Sequence, residues 1–301
     1  MLPAPASLRR EALAMVLREV PAVRREAHIA GLLAAERAGR ADLGGLFVAR
    51  RAGELIGAVW AQVLPGRVAS VWPAVVQEGV PDAISDGLLA ALVQWLGGQE
   101  VRVAQTLLAV DASQQRAQLA ARGFLHLADL LYMVSLAADF PAREPETRLQ
   151  FDAAMPAETA RLAGILERTY EQTLDCPQLN DVRDVNDVLA GYRTCGTFDP
   201  QRWLIARTGA SDVGCLLLTD HAALDQWEIV YAGLVPEARG QGYGLMMARH
   251  AQRLSRVAGR ARLVLAVDAA NAPAVKMYER AGFVVWDRRR ALVRIFPDGG
   301  S

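Results

Sequence analysis

A short strand-like run that leads directly into a glycine-rich turn is the feature that most constrains how this chain can fold. Ile229 to Val235 is apolar and rich in β-branched residues, and Pro236 ends the run by removing a backbone donor. The turn Arg239-Gly240-Gln241-Gly242-Tyr243-Gly244 then opens a helical pattern that reaches about Val257. Such a turn leaves backbone N–H groups free in front of a helix dipole. The sequence therefore predicts a site for a phosphate or pyrophosphate.

Two well-known phosphate-binding motifs can be compared with this turn. A P-loop is excluded because the turn has no Gly-Lys-Ser/Thr ending. A dinucleotide loop requires G-x-G-x-x-G, whereas this turn reads G-x-G-x-G. Asp268 nevertheless lies 24 residues beyond Gly244, where such loops place a ribose-binding acid. A nucleotide-linked oxidoreductase therefore stays as a minor alternative, which nicotinamide binding would identify.

A second informative segment lies downstream. Leu263 to Asp268 has the apolar pattern of a buried strand. The segment Asn271 to Phe283 follows and reads N-A-P-A-V-K-M-Y-E-R-A-G-F. Pro273 suits a first helical turn and Gly282 a C-terminal cap, so a short helix carries Tyr278 between them.

Together the two segments resemble the signatures of the GCN5-related N-acetyltransferase (GNAT) family. The turn fits Q/R-x-x-G-x-G/A and the downstream segment fits N-x-x-A-x-x-x-Y-x-x-x-G-F, with 36 residues from Gly242 to Tyr278. The resemblance implies an enzyme that moves an acetyl group from acetyl-CoA to a primary amine of a small molecule or peptide, by direct attack in a ternary complex. A non-catalytic acyl-CoA sensor is the alternative, which would bind acetyl-CoA and release no thiol with any amine.

The resemblance also implies roles for individual residues. Glu228 would remove a proton from the amine, directly or through water, and Tyr278 would protonate the departing thiolate. The residues implied in acetyl-CoA binding are Leu234, Val235, Arg239, Gly240, Gln241, Gly242, Tyr243, Gly244 and Asn271. No metal is expected. Each candidate has a structural alternative: a charged strand entry for Glu228, a packed helix tyrosine for Tyr278 and a helix cap for Asn271.

The acceptor site is expected in the segment between the first two helices of the second half, where this fold usually places it. Acidic residues of that segment include Asp175, Asp181, Asp184 and Asp187. Their charge would suit a cationic amine, and a solvated loop explains it equally well. Cys176 lies in the same segment and is interpreted as a bystander. His221 and His250 could act as bases, although His250 is expected at the surface.

The two halves of the chain repeat one order of elements. A shift of 157 residues places Val48-Ala49-Arg50 on Ile205-Ala206-Arg207 and Leu108 to Asp111 on Leu265 to Asp268. In the first copy, Asp82 occupies the place of Arg239, Val71 that of Glu228 and, after a two-residue deletion, Leu119 that of Tyr278. The first copy is therefore expected to lack the chemistry.

We accordingly predict an α/β (α+β) chain with two tandem GNAT-like domains, each a mixed, mostly antiparallel sheet flanked by helices. A degenerate domain is expected at residues 1–140, a linker at 141–147 and the catalytic domain at 148–301. The plan is similar in outline to the tandem, mycothiol synthase type of the family, apart from the weak first copy.

Composition excludes several classes of protein. Acidic and basic residues balance at 33 each, and no long basic run occurs, so nucleic acid is not an expected partner. No apolar run reaches the ~18 residues that a membrane span requires. Three scattered cysteines suit neither a disulfide framework nor a zinc site, which favours a reducing, cytoplasmic compartment.

Overall fold

The computed structural model describes residues 1–180 and 182–297, and the predicted mixture of helices and strands is confirmed. The chain forms two compact units, one from Met1–Leu127 with the chain from Arg290 onward, the other from Ala128–Arg289. Asp181, one of the acidic residues considered above, lies outside the described residues. In the described ranges, no helix is both long and apolar enough to cross a bilayer.

The first unit is a mixed sheet with helices on it. Its strands are β1 (Leu2–Pro3), β2 (Leu46–Arg51), β3 (Glu54–Leu64), β4 (Val68–Val76), β5 (Val103–Ala109) and the part of β12 (Val284–Ile295) from Arg290 onward. Its helices are α1 (Arg9–Val16), α2 (Ala22–Arg37), α3 (Asp82–Gly97) and α4 (Ser113–Ala120). The strand order is β1-β2-β3-β4-β5-β12, and β4 runs parallel to β5. Leucines at helical spacing on α3, such as Leu88, Leu92 and Leu96, are fully buried against the sheet.

The second unit has the same kind of sheet. Its strands are β6 (Leu125–Leu136) from Ala128 onward, β7 (Gln150–Ala153), β8 (Trp203–Thr208), β9 (Ser211–His221), β10 (Gln226–Leu234), β11 (Arg262–Asp268) and the part of β12 up to Arg289, which lies beside β6. Its helices are α5 (Thr159–Tyr170), α6 (Val185–Tyr192), α7 (Tyr243–Val257) and α8 (Ala272–Arg280). The strand order is β6-β11-β10-β9-β8-β7, and β10 runs parallel to β11. Residues of α7 and α8 pack on one face, and those of α5 and α6 on the other.

The predicted duplication is confirmed element by element. β2 and β8 span 46–51 and 203–208, and β3 and β9 span 54–64 and 211–221, so both pairs are offset by 157 residues. The register irregularity at Ala49/Arg50 recurs at Ala206/Arg207 with the same offset. The last strands, at 125–136 and 284–295, are offset by 159, as the two-residue deletion requires.

The two units are divided differently from the predicted ranges. Residues 128–136 of β6 belong to the second unit, where they pair with β11 from Leu130↔Asp268 to Leu136↔Arg262. Leu131 and Met133 are buried in that unit's core. Residues 141–147, the predicted linker, also lie within the second unit. Periodicity identifies a segment as a strand but says nothing about its partner strand, so a boundary inside β6 was not visible in the sequence.

Candidate active site

A cavity opens where the parallel pairing of β10 with β11 stops. The pairs run from Gln226↔Arg262 to Ile229↔Leu265, and the residues that follow on both strands, all of them described, form no further pair with each other. Beyond that point β10 still pairs with β9, and β11 with β6. The cavity has a volume of about 810 Å³. Its walls come from residues 229–234 of β10, residues 265–267 of β11, the C-terminal end of α5, the glycine turn and α8.

The glycine turn brings free backbone donors to this cavity. Gly240 and Gly242 have φ of 74° and 81°, a left-handed conformation that glycine adopts without strain. A Cβ built on either residue would meet no atom within 4 Å, so the space in front of the turn is open. Within the described chain, the backbone N–H groups from Gly240 to Leu245 have no partner, and Met246 is the first to bond back, to Gly242. The turn and the start of α7 therefore present free backbone donors where the sequence predicts an anion site.

The side chain of Arg239 lines the cavity and is also hydrogen-bonded within the protein. Its guanidinium donates to four backbone carbonyls, those of Leu234, Thr169, Glu171 and Gln172, at 2.8–3.1 Å. Three of these carbonyls lie at the C-terminal end of α5, where helix carbonyls lack intrahelical partners. Arg239 therefore ties the glycine turn to the beginning of the predicted acceptor segment.

Tyr278 projects from α8 into the cavity. The residue is only 7% exposed, and its ring packs edge-on against Phe283 with centroids 5.5 Å apart. Burial, and next the negative charge of Asp175, raise the pKa of the phenol well above its usual range. The phenol is therefore neutral at physiological pH and holds a proton that it can donate.

Glu228 pairs with a histidine. His221 Nε2 lies 2.7 Å from a carboxylate oxygen of Glu228, and Glu228 is not among the cavity-lining residues. The hydrogen bond to Glu228 raises the pKa of His221. Because the folded-state pKa is raised, the pair stabilises the fold below the ordinary imidazole pKa near 6.5. That contribution is lost as the pH rises through the raised value.

The other predicted cofactor-binding residues fall into two groups. Leu234, Tyr243, Gly244 and Asn271 line the cavity. Asn271 also caps α8, because its side chain accepts a hydrogen bond from the N–H of Ala274 at 3.3 Å. Val235 and Gln241 do not line the cavity: the N–H of Val235 bonds to Val213, and the amide of Gln241 bonds to Glu237 within its own turn.

Of the acidic residues predicted for the acceptor segment, Asp175 reaches the cavity. Asp175, Cys176 and Asp268 each bring one potential ligand atom within 4.8 Å of the others. The backbone N–H of Asp268 donates to Asp175 at 3.1 Å, and the carboxylate of Asp268 accepts from Ala270 at 2.9 Å. Burial raises the pKa of the Cys176 thiol to about 12, so the thiol is protonated at physiological pH. Hydrogen bonds within the cluster connect the predicted acceptor segment to the end of β11.

Several cavity residues were missed in the sequence. Thr169 and Tyr231 line the cavity with their hydroxyl oxygens 2.6 Å apart, and Lys276 and Arg280 add positive charge from α8. The two cations are four residues apart inside the second signature, a spacing that places them on one helix face and that could have identified them. Thr169 gave no such signal.

His250 differs from the expectation of a surface residue. Its ring stacks on Phe151 with centroids 3.9 Å apart, and burial lowers the pKa of the imidazole. His250 does not line the cavity. It packs the second unit and is separate from the candidate site.

The matching positions of the first unit are filled by side chains. Asp82, at the start of α3, accepts a hydrogen bond from Gln114 at 3.0 Å, and Ser85 bonds Gln118 at 3.1 Å. Leu119, in the place of Tyr278, is fully buried. Side-chain contacts between α3 and α4 therefore occupy the region that the second unit leaves open for a ligand.

Known proteins resemble both the second unit and the whole chain. Residues 165–283 match the acetyltransferase (GNAT) family model. A 90-residue stretch is 36% identical to mycothiol acetyltransferase of Streptomyces scabiei, and it covers 30% of this chain and 29% of that relative. The chain thus spans less than a third of the length of this curated relative.

Two solved structures share the fold over nearly the full chain. A GCN5-related N-acetyltransferase from Sphaerobacter thermophilus has a TM-score of 0.64 at 21% identity, over 98% of this chain and 96% of that one. A tandem GNAT protein from the clavulanic acid biosynthesis pathway has a TM-score of 0.52 at 14% identity, over 100% and 98% of the two chains. At these identities the likeness establishes the tandem fold.

The contacts of Arg239 lead to a prediction about local stability. Arg239→Lys and Arg239→Ala should each speed amide hydrogen exchange in residues 169–173 by about 10-fold or more, because hydrogen bonds from a charged donor are worth about 1.5–3 kcal/mol. A lysine ammonium has too few donors, in the wrong geometry, to replace a guanidinium that reaches four carbonyls. Gln241→Ala is the matched control, since its amide bonds only within its own turn. Unchanged exchange in both Arg239 variants would contradict this role.

Proposed function

We propose that this chain, of which residues 165–283 match the acetyltransferase (GNAT) family model, is an acetyl-CoA-dependent N-acetyltransferase. The acetyl group passes to a primary amine of a small molecule or peptide by direct attack in a ternary complex. The observation that carries the proposal is the row of unpartnered N–H groups from Gly240 to Leu245, which opens onto a cavity between two separated strands. The three free cysteines favour a reducing, cytoplasmic compartment for this reaction.

Two parts of the cavity support the binding of acetyl-CoA, one for its pyrophosphate and one for its amide-containing arm. The open space before Gly240 and Gly242 suits a pyrophosphate, and Lys276 and Arg280 supply positive charge nearby. Residues 230–234 of β10, which no longer pair with β11, can offer backbone groups to the amide-containing arm. No metal is needed for this reaction, because side chains supply the proton transfers.

Two side chains move the protons in this proposal. The amine must lose a proton before it can attack, and Glu228 accepts that proton, directly or through water. His221, within hydrogen-bond distance, fixes the orientation of the carboxylate. The thiolate that departs gains a proton from Tyr278, whose phenol is protonated at physiological pH.

A thiol-release assay over a panel of primary amines, combined with calorimetry, tests the proposal. The chain should bind one acetyl-CoA, through the second unit, and release thiol with at least one amine. Gly242→Val should abolish binding, because a Cβ would enter the phosphate space and φ of 81° strains any L side chain. Gly259→Val is the matched control, a left-handed glycine (φ 70°) just beyond the other end of α7. Binding without thiol release would indicate the sensor, and nicotinamide binding the oxidoreductase.

The role of Glu228 predicts a particular pH dependence. Glu228→Gln should lower kcat/KM at neutral pH by about 100-fold or more, because general base catalysis typically contributes 10²–10⁴-fold. The deficit should shrink at high pH, where the amine is already unprotonated. Glu279→Gln, at an exposed carboxylate of α8, should behave as wild type. A variant whose deficit is the same at every pH would show that another group removes the proton.

The role of Tyr278 predicts a loss of rate without a loss of affinity. Tyr278→Phe keeps the packing against Phe283 and removes the hydroxyl, so kcat should fall about 10- to 1000-fold while the Kd of acetyl-CoA changes little. Tyr192→Phe, at a tyrosine outside the cavity lining, is the control. Full activity of Tyr278→Phe would make Tyr278 a packing residue, and lost binding would make it a ligand contact.

A further inference from the structure

The cavity between β10 and β11 reaches both faces of the second unit's sheet. On the face covered by α7 and α8 it is lined by Ile229, Leu265 and Val267. Val230, which follows Ile229, and Ala266, which lies between Leu265 and Val267, also line it. Val230 packs on the core of α5 and α6, and Ala266 alternates with Leu265 and Val267 along β11, so the cavity continues to the other face through these two residues. A second substrate can approach from that side.

Glu228 and Tyr132 stand on that second face. Residues paired across neighbouring strands lie on the same face of a sheet. Glu228 pairs with Val264, and Val264 with Val134, so these three form one row. Ala266 pairs with Tyr132 in the next row. Strand spacing places the Cα atoms of Glu228 and Tyr132 about 12 Å apart.

Trp286 extends the surface next to Tyr132. The two rings meet edge to face, with centroids 6.0 Å apart and planes at 70°. The Trp286 residue is 60% exposed, which is unusual for the largest apolar side chain. The charged neighbours Arg289 and Asp287 form an ion pair at 2.8 Å, so they add little net charge. Burial and the nearby Glu228 raise the pKa of Tyr132, and its ring stays neutral.

We propose that Tyr132 and Trp286 form an aromatic wall that binds the body of the amine acceptor, while Glu228 receives the amine itself. The inference rests on the proposed function and narrows it. The acceptor carries a flat or apolar group close to its amine, since an aromatic pair beside a carboxylate binds a cation that has an apolar body. Tyr132 belongs to β6, so the N-terminal half of the sequence contributes a residue to the site of the second unit.

Two simple primary amines of similar basicity test the aromatic wall. The experiment uses the 301-residue chain saturated with acetyl-CoA. 2-Phenylethylamine should bind about 10-fold or more tightly than n-propylamine by calorimetry, and its kcat/KM should show the same preference. Trp286→Ala and Tyr132→Ala should each remove most of that preference and leave the Kd of acetyl-CoA unchanged. Tyr132→Phe should keep it, because the ring and not the hydroxyl makes the contact.

Val285→Ala is the matched control, because Val285 is exposed on the same strand and points to the opposite face. It should retain the preference. Equal binding of the two amines, no binding of either, or a preference that survives Trp286→Ala would overturn the aromatic wall. Tight binding of 2-phenylethylamine that depends on Trp286, without acetyl transfer, would support the wall and count against the proposed function.

Discussion

The separation of β10 from β11 is the constraint on which the rest of the second unit depends. Two parallel strands that pair only as far as Ile229 and Leu265 leave backbone groups open in the middle of a sheet. Unpaired groups of this kind are costly unless a ligand or water satisfies them. β9 and β6 still hold the outer edges of the two strands, so the gap is kept open by the sheet itself. The glycine turn and α8, with Tyr278, line the cavity that opens at this gap.

The two units share one arrangement of strands and differ in the residues at the place of the glycine turn. Both have the same strands at nearly constant offsets, and in both a parallel pair is only partly joined. In the first unit, Asp82 and Ser85 at the start of α3 bond glutamines of α4, whereas Arg239 and Gly242 occupy these places in the second unit, in a turn with free N–H groups. The fold is therefore kept when side-chain contacts within the protein replace a turn with free backbone donors.

Arg239 and Glu228 each form hydrogen bonds within the protein that their sequence patterns do not predict. Arg239 is the first residue of the glycine turn, and its guanidinium donates hydrogen bonds to carbonyls at the end of α5 and at the end of β10. Glu228 lies on the strand that lines the cavity, yet its carboxylate is held by His221 on the adjacent strand. The α5 carbonyls are distant from Arg239 in the sequence, and His221 lies on a different strand from Glu228. Only the folded chain therefore identifies these partners.

The sequence by itself determined the strand–turn–helix around Gly242, the short helix that carries Tyr278, the duplication and the resemblance to the acetyltransferase (GNAT) signatures. These are local patterns, set by glycine conformation, helix caps and periodicity, and they repeat at a fixed offset. The tertiary structure alone decided that residues 128–136 complete the second sheet, that Arg239 bonds carbonyls and that Tyr132 stands near Glu228. Strand partners and side-chain contacts depend on residues far apart in the chain, because β-pairing and packing act through space and leave no periodic signal at either partner.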